Sequence, residues 1–211
     1  LEDEPALGLT RARNYYVKNF KRGVQKIIKI KKSKIRIAYF SANFNDHPVT
    51  LLIKYILKLH DRDIFEVFAY SYSPYKEDEY TEEIRNNVDK YININGLDDI
   101  QAVNKIKGDS IDIAIDLMGY TLDTRFALFA YRVAPIQISY LGYPGTTGSE
   151  CIDYLIADTF LIPESNKRFY SEEILYLSKG YLAHDDRLLL QIKEKKDVDN
   201  LPNDKLIFTS F

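Results

Sequence analysis

"KIRIAYFSANFNDHPVTLLIKYILKLH", residues 34–60, reads as a strand, a short polar break and a helix in direct succession. Residues 34–42 form the strand, since apolar and aromatic side chains crowd the segment and turn-forming residues follow it. Residues 48–60 form the helix. Pro48 suits its first turn, where the amide proton that proline lacks has no partner in any case. Between them "NFNDHP", residues 43–48, sets one of only three histidines after an acid and before a proline. A strand needs no imidazole in order to stop, so the break points to a site at the strand's carboxyl end.

The same alternation continues outward. Strands are expected over 65–73, 90–95, 111–120 and 135–144, with further short ones in "IDYLIADTF" (152–160) and "EEILYL" (172–177). Helices are expected over 77–88, 97–109 and 124–132. The near-continuous apolar character of "IDIAIDLMGY" (111–120) fits a strand buried on both faces. Strands separated by helices of this length give parallel βαβ units, hence a three-layer, doubly wound α/β domain of Rossmann-like type. Ligands of such sheets bind outside the carboxyl ends of the strands. His47, Gly119–Tyr120 and Gly142–Gly148 all follow strand ends, so they are expected on one rim.

Composition bounds the rest. A chain of 211 residues with 45% hydrophobic content holds one large domain, or one with a small appendage. No apolar run approaches a membrane span. The opening "LEDEPALG" is acidic and has no apolar signal region, and the lone Cys151 suits a reducing compartment. The expectation is a cytoplasmic protein with no membrane partner. Net charge is −2, yet residues 11–36 carry eleven Lys/Arg and no Asp/Glu. Tyr16, Phe20, Val24 and Ile28 recur every four residues there, which reads as a helix with a solvated basic face packed on an acidic body. Nucleic acid or anionic lipid is the alternative partner for such a segment. Aromatic interleaving of the kind that stacks bases is missing from it, so no nucleic acid is expected.

"LGYPGTTG" (141–148) packs three glycines and a proline into eight residues. Such a loop brings backbone N–H groups close to a phosphate or sugar; a tight connection using glycine only for its dihedrals is the other reading. There is no GxGxxG after the first strand, no GxxxxGK[ST], no zinc-ligand spacing and no GxSxG. Those absences disfavour nucleotide folds of those types, zinc sites and Ser–His–Asp hydrolases.

"IRIAYFSANFNDHPVTLL", "FEVFAYSYSP", "IDIAIDLMGYTLDTRFALFAYRVAPIQISYLGYPGTTG" and "IDYLIADTFLIPES…YSEEILYL" together resemble the protein O-GlcNAc transferase / SPINDLY family. The resemblance runs from about residue 33 to residue 185. It implies the N-terminal lobe of a two-lobed GT-B glycosyltransferase that moves a sugar from a nucleotide donor to Ser or Thr hydroxyls of proteins. UDP-N-acetylglucosamine is the first expectation for the donor; the family spans more than one sugar. No other cofactor and no metal are implied. Residues 1–32 would then be a helical linker ending an upstream tetratricopeptide-repeat region, 33–204 the lobe, and 205–211 ("KLIFTSF") the start of a C-terminal lobe. Acceptor proteins, the nucleotide-sugar, the second lobe and the repeat region are the implied partners. A non-catalytic member that keeps the lobe as a binding module is the alternative.

By the same resemblance His47 is the catalytic histidine, and Leu141, Gly142, Pro144 and Thr146 line the donor sugar. Asn43, Pro48, Gly119, Tyr120 and Arg125 complete the expected substrate rim. The family's animal members carry an acid where this chain has Asn43, and a threonine where it has Val49. On the residues alone, His47 either accepts or holds the proton of a reacting hydroxyl, help typically contributing about 10²–10⁴-fold, or makes a structural hydrogen bond at the helix start. Arg125 either faces a diphosphate or carboxylate or forms a surface salt bridge. His60 at a helix end reads as a surface residue compensating the helix dipole. His184 reads as loop, and the seventeen tyrosines serve packing.

Overall fold

Residues 4–20 and 33–183 are described by the computed structural model, and within them seven strands form one sheet. They are β1 (Ile35–Ser41), β2 (Phe65–Ser71), β3 (Lys90–Asn93), β4 (Ile113–Asp116), β5 (Ile136–Ser139), β6 (Tyr154–Ala157) and β7 (Glu173–Tyr176). Their order is β3-β2-β1-β4-β5-β6-β7 and every pairing is parallel. The helices are α1 (Pro5–Asn19), α2 (Pro48–Leu59), α3 (Glu79–Asn86), α4 (Asp99–Gly108) and the short α5 (Ala127–Ala130), with a 3-10 turn at Glu164–Phe169. The expected three-layer fold is what forms.

Period-two alternation divides the core between the two faces of the sheet. Ile37 and Tyr39 of β1 pack with Val67, Ile115 and Ile138 under Ile53 and Leu57 of α2 and Ile84 of α3. Ala38 and Phe40 look the other way, to Phe68, Tyr70 and Ala114 under Ala102 and Ile106 of α4 and Phe129 of α5. Phe40 stacks on Tyr70 with ring centroids 4.8 Å apart and meets Phe129 edge-on at 5.3 Å. Each such buried ring stabilises the fold by about 1.5–3 kcal/mol relative to an exposed one. Helix starts are marked by side chains: Asp78 and Asp98 each close a capping box, with Thr81 and Gln101.

Several elements differ from expectation. The N-terminal helix packs on the body as expected, but through an apolar face: Leu9, Ala12 and Tyr16 of α1 are buried, and Tyr16 and Phe20 pack against Phe126. Gly148 makes the close seat possible, because a Cβ there would lie 2.4 Å from the Arg13 nitrogen. The helix expected over 124–132 shrinks to α5, since Thr124 Oγ1 donates to the Gly119 carbonyl and Arg125 is drawn toward α4. Arg132 ends it with φ 54°. Strand β4 ends at Asp116 because the next residues turn on that aspartate's carboxylate. Val24, Ile28, His184 and the expected start of a C-terminal lobe at 205–211 lie outside the described residues. Among the described residues no helix is long and apolar enough to cross a membrane.

Candidate active site

Three neighbouring strands, β1, β4 and β5, supply the loops that build the site at the carboxyl edge of the sheet. The first loop is fixed at both ends. Asn43 donates its backbone N–H to Ser41 Oγ (2.9 Å) and its side-chain Nδ2 to Met118 Sδ (3.3 Å), and Thr50 Oγ1 donates to the Asn43 carbonyl. Asp46 N–H donates to Asp78 Oδ2 at 2.7 Å. His47 then caps α2 in an extended conformation, with Nδ1 accepting the Val49 N–H at 3.1 Å. Pro48 opens the helix and stays exposed.

The β4 loop is turned by Asp116, whose two carboxylate oxygens accept the N–H groups of Met118 and Gly119, both at 3.0 Å. Gly119 takes φ 59°, a left-handed conformation that glycine adopts without strain. The β5 loop lies directly on it. A Cβ on Gly142 would sit 2.2 Å from the Leu117 carbonyl oxygen, so only glycine allows that approach.

Together these loops enclose a cleft of about 520 Å³ whose walls include Asn43, Asp46, His47, Thr121, Asp123 and Gly142. Tyr75, from the loop after β2, donates its hydroxyl to Asp123 Oδ2 (2.8 Å) along one side. Asn45 is also in the wall, and its Oδ1 is buried with no hydrogen-bond partner among the described residues. The cleft therefore offers an imidazole, amide oxygens and two carboxylates, and among the described residues no lysine or arginine lines it.

A sequence model of glycosyl transferase family 41 matches residues 6–208 of this architecture. The chain belongs to glycosyl transferase family 41. It is 35% identical over 184 residues to a protein named as the probable UDP-N-acetylglucosamine–peptide N-acetylglucosaminyltransferase SEC of Arabidopsis thaliana, covering 84% of this chain and 19% of that one. It is 34% identical over 152 residues to a Petunia hybrida protein named as the probable SPINDLY enzyme of the same type, covering 70% of this chain and 16% of that one. The solved structure of a Thermobaculum terrenum O-GlcNAc transferase mutant superposes with a TM-score of 0.74 at 31% identity, over 84% of this chain and 34% of that one. The chain thus spans about a fifth of the length of these curated relatives.

Within this family 41 lobe the expected site residues divide into wall and support. Asn43, His47 and Gly142 meet in the cleft, with Gly119 in the turn that leads to Thr121. Tyr120 and Leu141 stand behind it: the Tyr120 hydroxyl donates to the Thr147 carbonyl (2.7 Å), and the Leu141 carbonyl accepts from Tyr181 (2.6 Å). Thr146 is buried, its hydroxyl donating to Glu172 Oε2 at 2.7 Å, while Pro144 is exposed. Arg125 turns to neither cleft nor solvent. Its guanidinium pairs with Asp99 at 2.7 Å and donates to the carbonyls of Ile94 and Leu97, so it ties α4 to the β4 loop.

Two acids that carry the site's geometry went unremarked in the sequence: Asp116, read as one more residue of a strand, and Glu172, read the same way. Both hold loops through backbone N–H groups. Burial pushes the Asp116 carboxyl up to about 7, with the two N–H groups pulling the other way.

Burial lowers the pKa of His47 and of His60 below the ordinary 6.5. His60 is not the dipole-compensating surface residue expected. Its Nε2 lies 2.7 Å from the Tyr39 hydroxyl and its ring packs beside Phe65. The two kinds of group pull stability in opposite directions with pH. A histidine held neutral in the fold binds fewer protons folded than unfolded, so its contribution is complete above about 6.5 and fades as pH falls below it. Asp116, with its raised value, stabilises relatively at low pH and ceases to as pH climbs through about 7. Urea midpoints from pH 5 to 8 check both. The advantage of the wild type over His60→Gln grows with pH up to about 6.5. Its standing relative to Asp116→Asn falls over the same interval. A flat difference in either pair contradicts the assigned burial.

Proposed function

We propose that the protein is an inverting, nucleotide-sugar-dependent transferase that moves N-acetylglucosamine from UDP to Ser or Thr hydroxyls of other proteins, and that this lobe forms one wall of its site. The observation that carries the reading is the cleft at the carboxyl edge, where the His47 imidazole faces a β5 loop so close-packed that Gly142 tolerates no side chain. The names of the relatives, peptide N-acetylglucosaminyltransferases in a plant and in Caenorhabditis elegans, support the same reaction. A wall with no cation among the described residues suits a sugar and an acceptor segment better than a diphosphate. The diphosphate then falls to a second lobe, closing over this edge as the resemblance implies. The nucleotide-sugar is consumed as a substrate, and the reading requires no resident metal. Acceptor proteins are the partners, in the reducing cytoplasm, where a free buried Cys151 is at home.

The test uses the complete protein, with UDP-N-acetylglucosamine or GDP-fucose, a library of Ser/Thr peptides, and excess EDTA in parallel. Mass spectrometry is expected to find N-acetylhexosamine on hydroxyl residues, with and without EDTA. Transfer of fucose alone reassigns the donor. No transfer from either donor makes the lobe a binding module.

A further inference from the structure

We propose that the cleft selects acceptor segments carrying a lysine or arginine close to the reacting Ser or Thr, and that Tyr75, Leu122 and Asp123 form the seat for that cation. This deepens the proposed function and rests on it for the reaction; the charge preference rests on the lip of the cleft alone.

Asp46 and Asp123 are the two acids of the cleft wall, and neither has an ion-pair partner among the described residues. Asp78 stands behind Asp46 as a third negative charge, its Oδ2 accepting the Asp46 N–H. The cations of the neighbouring elements are spent on other acids. Arg85 is held by Glu77 and Glu82, Lys54 by Glu83, and Arg125 by Asp99. Lys76 follows Tyr75 in the chain but is not in the wall. A cleft lined by one sign of charge gathers ligands of the opposite sign and turns away those of its own. The positive charge has to come with whatever enters.

The lip shows where that charge sits. Tyr75, from the segment after β2, donates its hydroxyl to Asp123 Oδ2 at 2.8 Å, while Oδ1 makes no hydrogen bond to the described residues. The same bond holds the Tyr75 phenol above its ordinary pKa, so the hydroxyl remains the donor and the carboxylate keeps its charge. Asp123 takes φ 60°, a left-handed turn that aspartate visits more readily than most residues. Leu122, just before it, is 80% exposed, and Tyr75 is 51% exposed. A leucine, an aromatic ring and a half-spent carboxylate on one lip match a basic side chain part by part. Its methylene stem lies along Leu122, and its cationic head meets the Tyr75 face and Asp123 Oδ1. An apolar side chain would cover the carboxylate without pairing it, which costs free energy. A glutamate would meet a like charge.

Two measurements decide it. NMR chemical-shift mapping on the 211-residue chain uses three short peptides, identical except for Lys, Ala or Glu beside a central Ser. The lysine peptide is expected to move the signals of Tyr75, Leu122 and Asp123, and high salt to weaken that effect. The glutamate peptide is expected to leave them in place. Equal shifts from all three, or none from any, overturn the proposal. The second measurement follows transfer to the same peptides by the complete protein. One exposed ion pair together with one cation–π contact predicts kcat/KM roughly tenfold higher for the lysine peptide than for the glutamate peptide. Asp123→Asn keeps an oxygen for Tyr75 and tolerates the left-handed turn, so its melting temperature is expected to stay near that of the wild type. Its lysine-to-glutamate ratio is expected to fall to within about threefold of unity. A wild-type ratio near one, or a ratio that Asp123→Asn leaves unchanged, overturns the seat. If the wild type transfers to no peptide, the proposed function fails while the NMR result stands on its own.

Discussion

On the proposed function, His47→Ala is expected to lower sugar transfer by the complete protein at least about a hundredfold, whereas its melting temperature drops by only a few degrees. The two effects separate because the residue does two jobs of unequal weight. As an N-cap it satisfies one helix N–H, and losing such a cap costs about 1 kcal/mol. In a domain of this size that is a shift of roughly 2–4 °C. On the proposed function, the same side chain in the cleft wall is also a positioned catalytic group, and losing one typically costs at least about a hundredfold, roughly 2.7 kcal/mol of barrier. Both are read on one preparation, by initial rates and by thermal unfolding. Near-normal transfer returns His47 to the rank of a capping residue. A lost rate accompanied by a collapsed melting temperature assigns the loss to unfolding.

Glu172→Ala is expected to destabilise the lobe by about 3 kcal/mol. Glu172 is 4% exposed, and its carboxylate accepts the Thr147 N–H at 2.7 Å, the Thr147 hydroxyl, and the Thr146 hydroxyl at 2.7 Å. Alanine leaves the buried Thr147 N–H without an acceptor and throws the Thr146 and Thr147 hydroxyls back on the weaker neutral oxygens of Ser171 and Ser149. Hydrogen bonds to a charged partner are worth roughly 1.5–3 kcal/mol each, and an orphaned buried donor costs about 1–3 kcal/mol. Release from burying a charge offsets part of that sum, which brings the total down to the stated figure. Urea denaturation measures it directly. Glu172→Gln, which keeps one accepting oxygen, falls between the two. A loss below about 1 kcal/mol for Glu172→Ala means that the 141–148 loop is held by its other contacts.

What could be read from the sequence and what could not follow from the same physics. Strands of a parallel sheet are buried on both faces, so each appears as an apolar run whatever its neighbours, and β1, β2 and β4 were visible for that reason. The rim followed from topology, because every parallel strand delivers its next loop to the same edge. Partners across the fold left no such trace. The apolar stripe of α1 predicted a helix without showing where it docks, since Gly148 looks like any loop glycine until Arg13 is set beside it. His60 sits in "HDRD" and reads as surface, but the hydroxyl that meets it belongs to Tyr39 on β1. Glu172 and Glu173 are the same residue type side by side; only the point at which β7 begins, one residue after Glu172, turns one inward and leaves the other exposed. The roles of Asp116 and Arg125 likewise depend on what faces them, and a linear reading does not contain that.

The seat of α1 on Gly148 has a mechanical consequence. The segment from Gly142 to Gly148 is a short link clamped at three points: against Leu117 at one end, on Glu172 in its middle, and beneath the backbone of α1 at the other end. The direct contact of α1 with the link is at Gly148, and the link's other end is part of the cleft wall at Gly142. The position of α1 and the shape of the cleft are thus set by one and the same loop, so a substitution that enlarges Gly148 strains both at once.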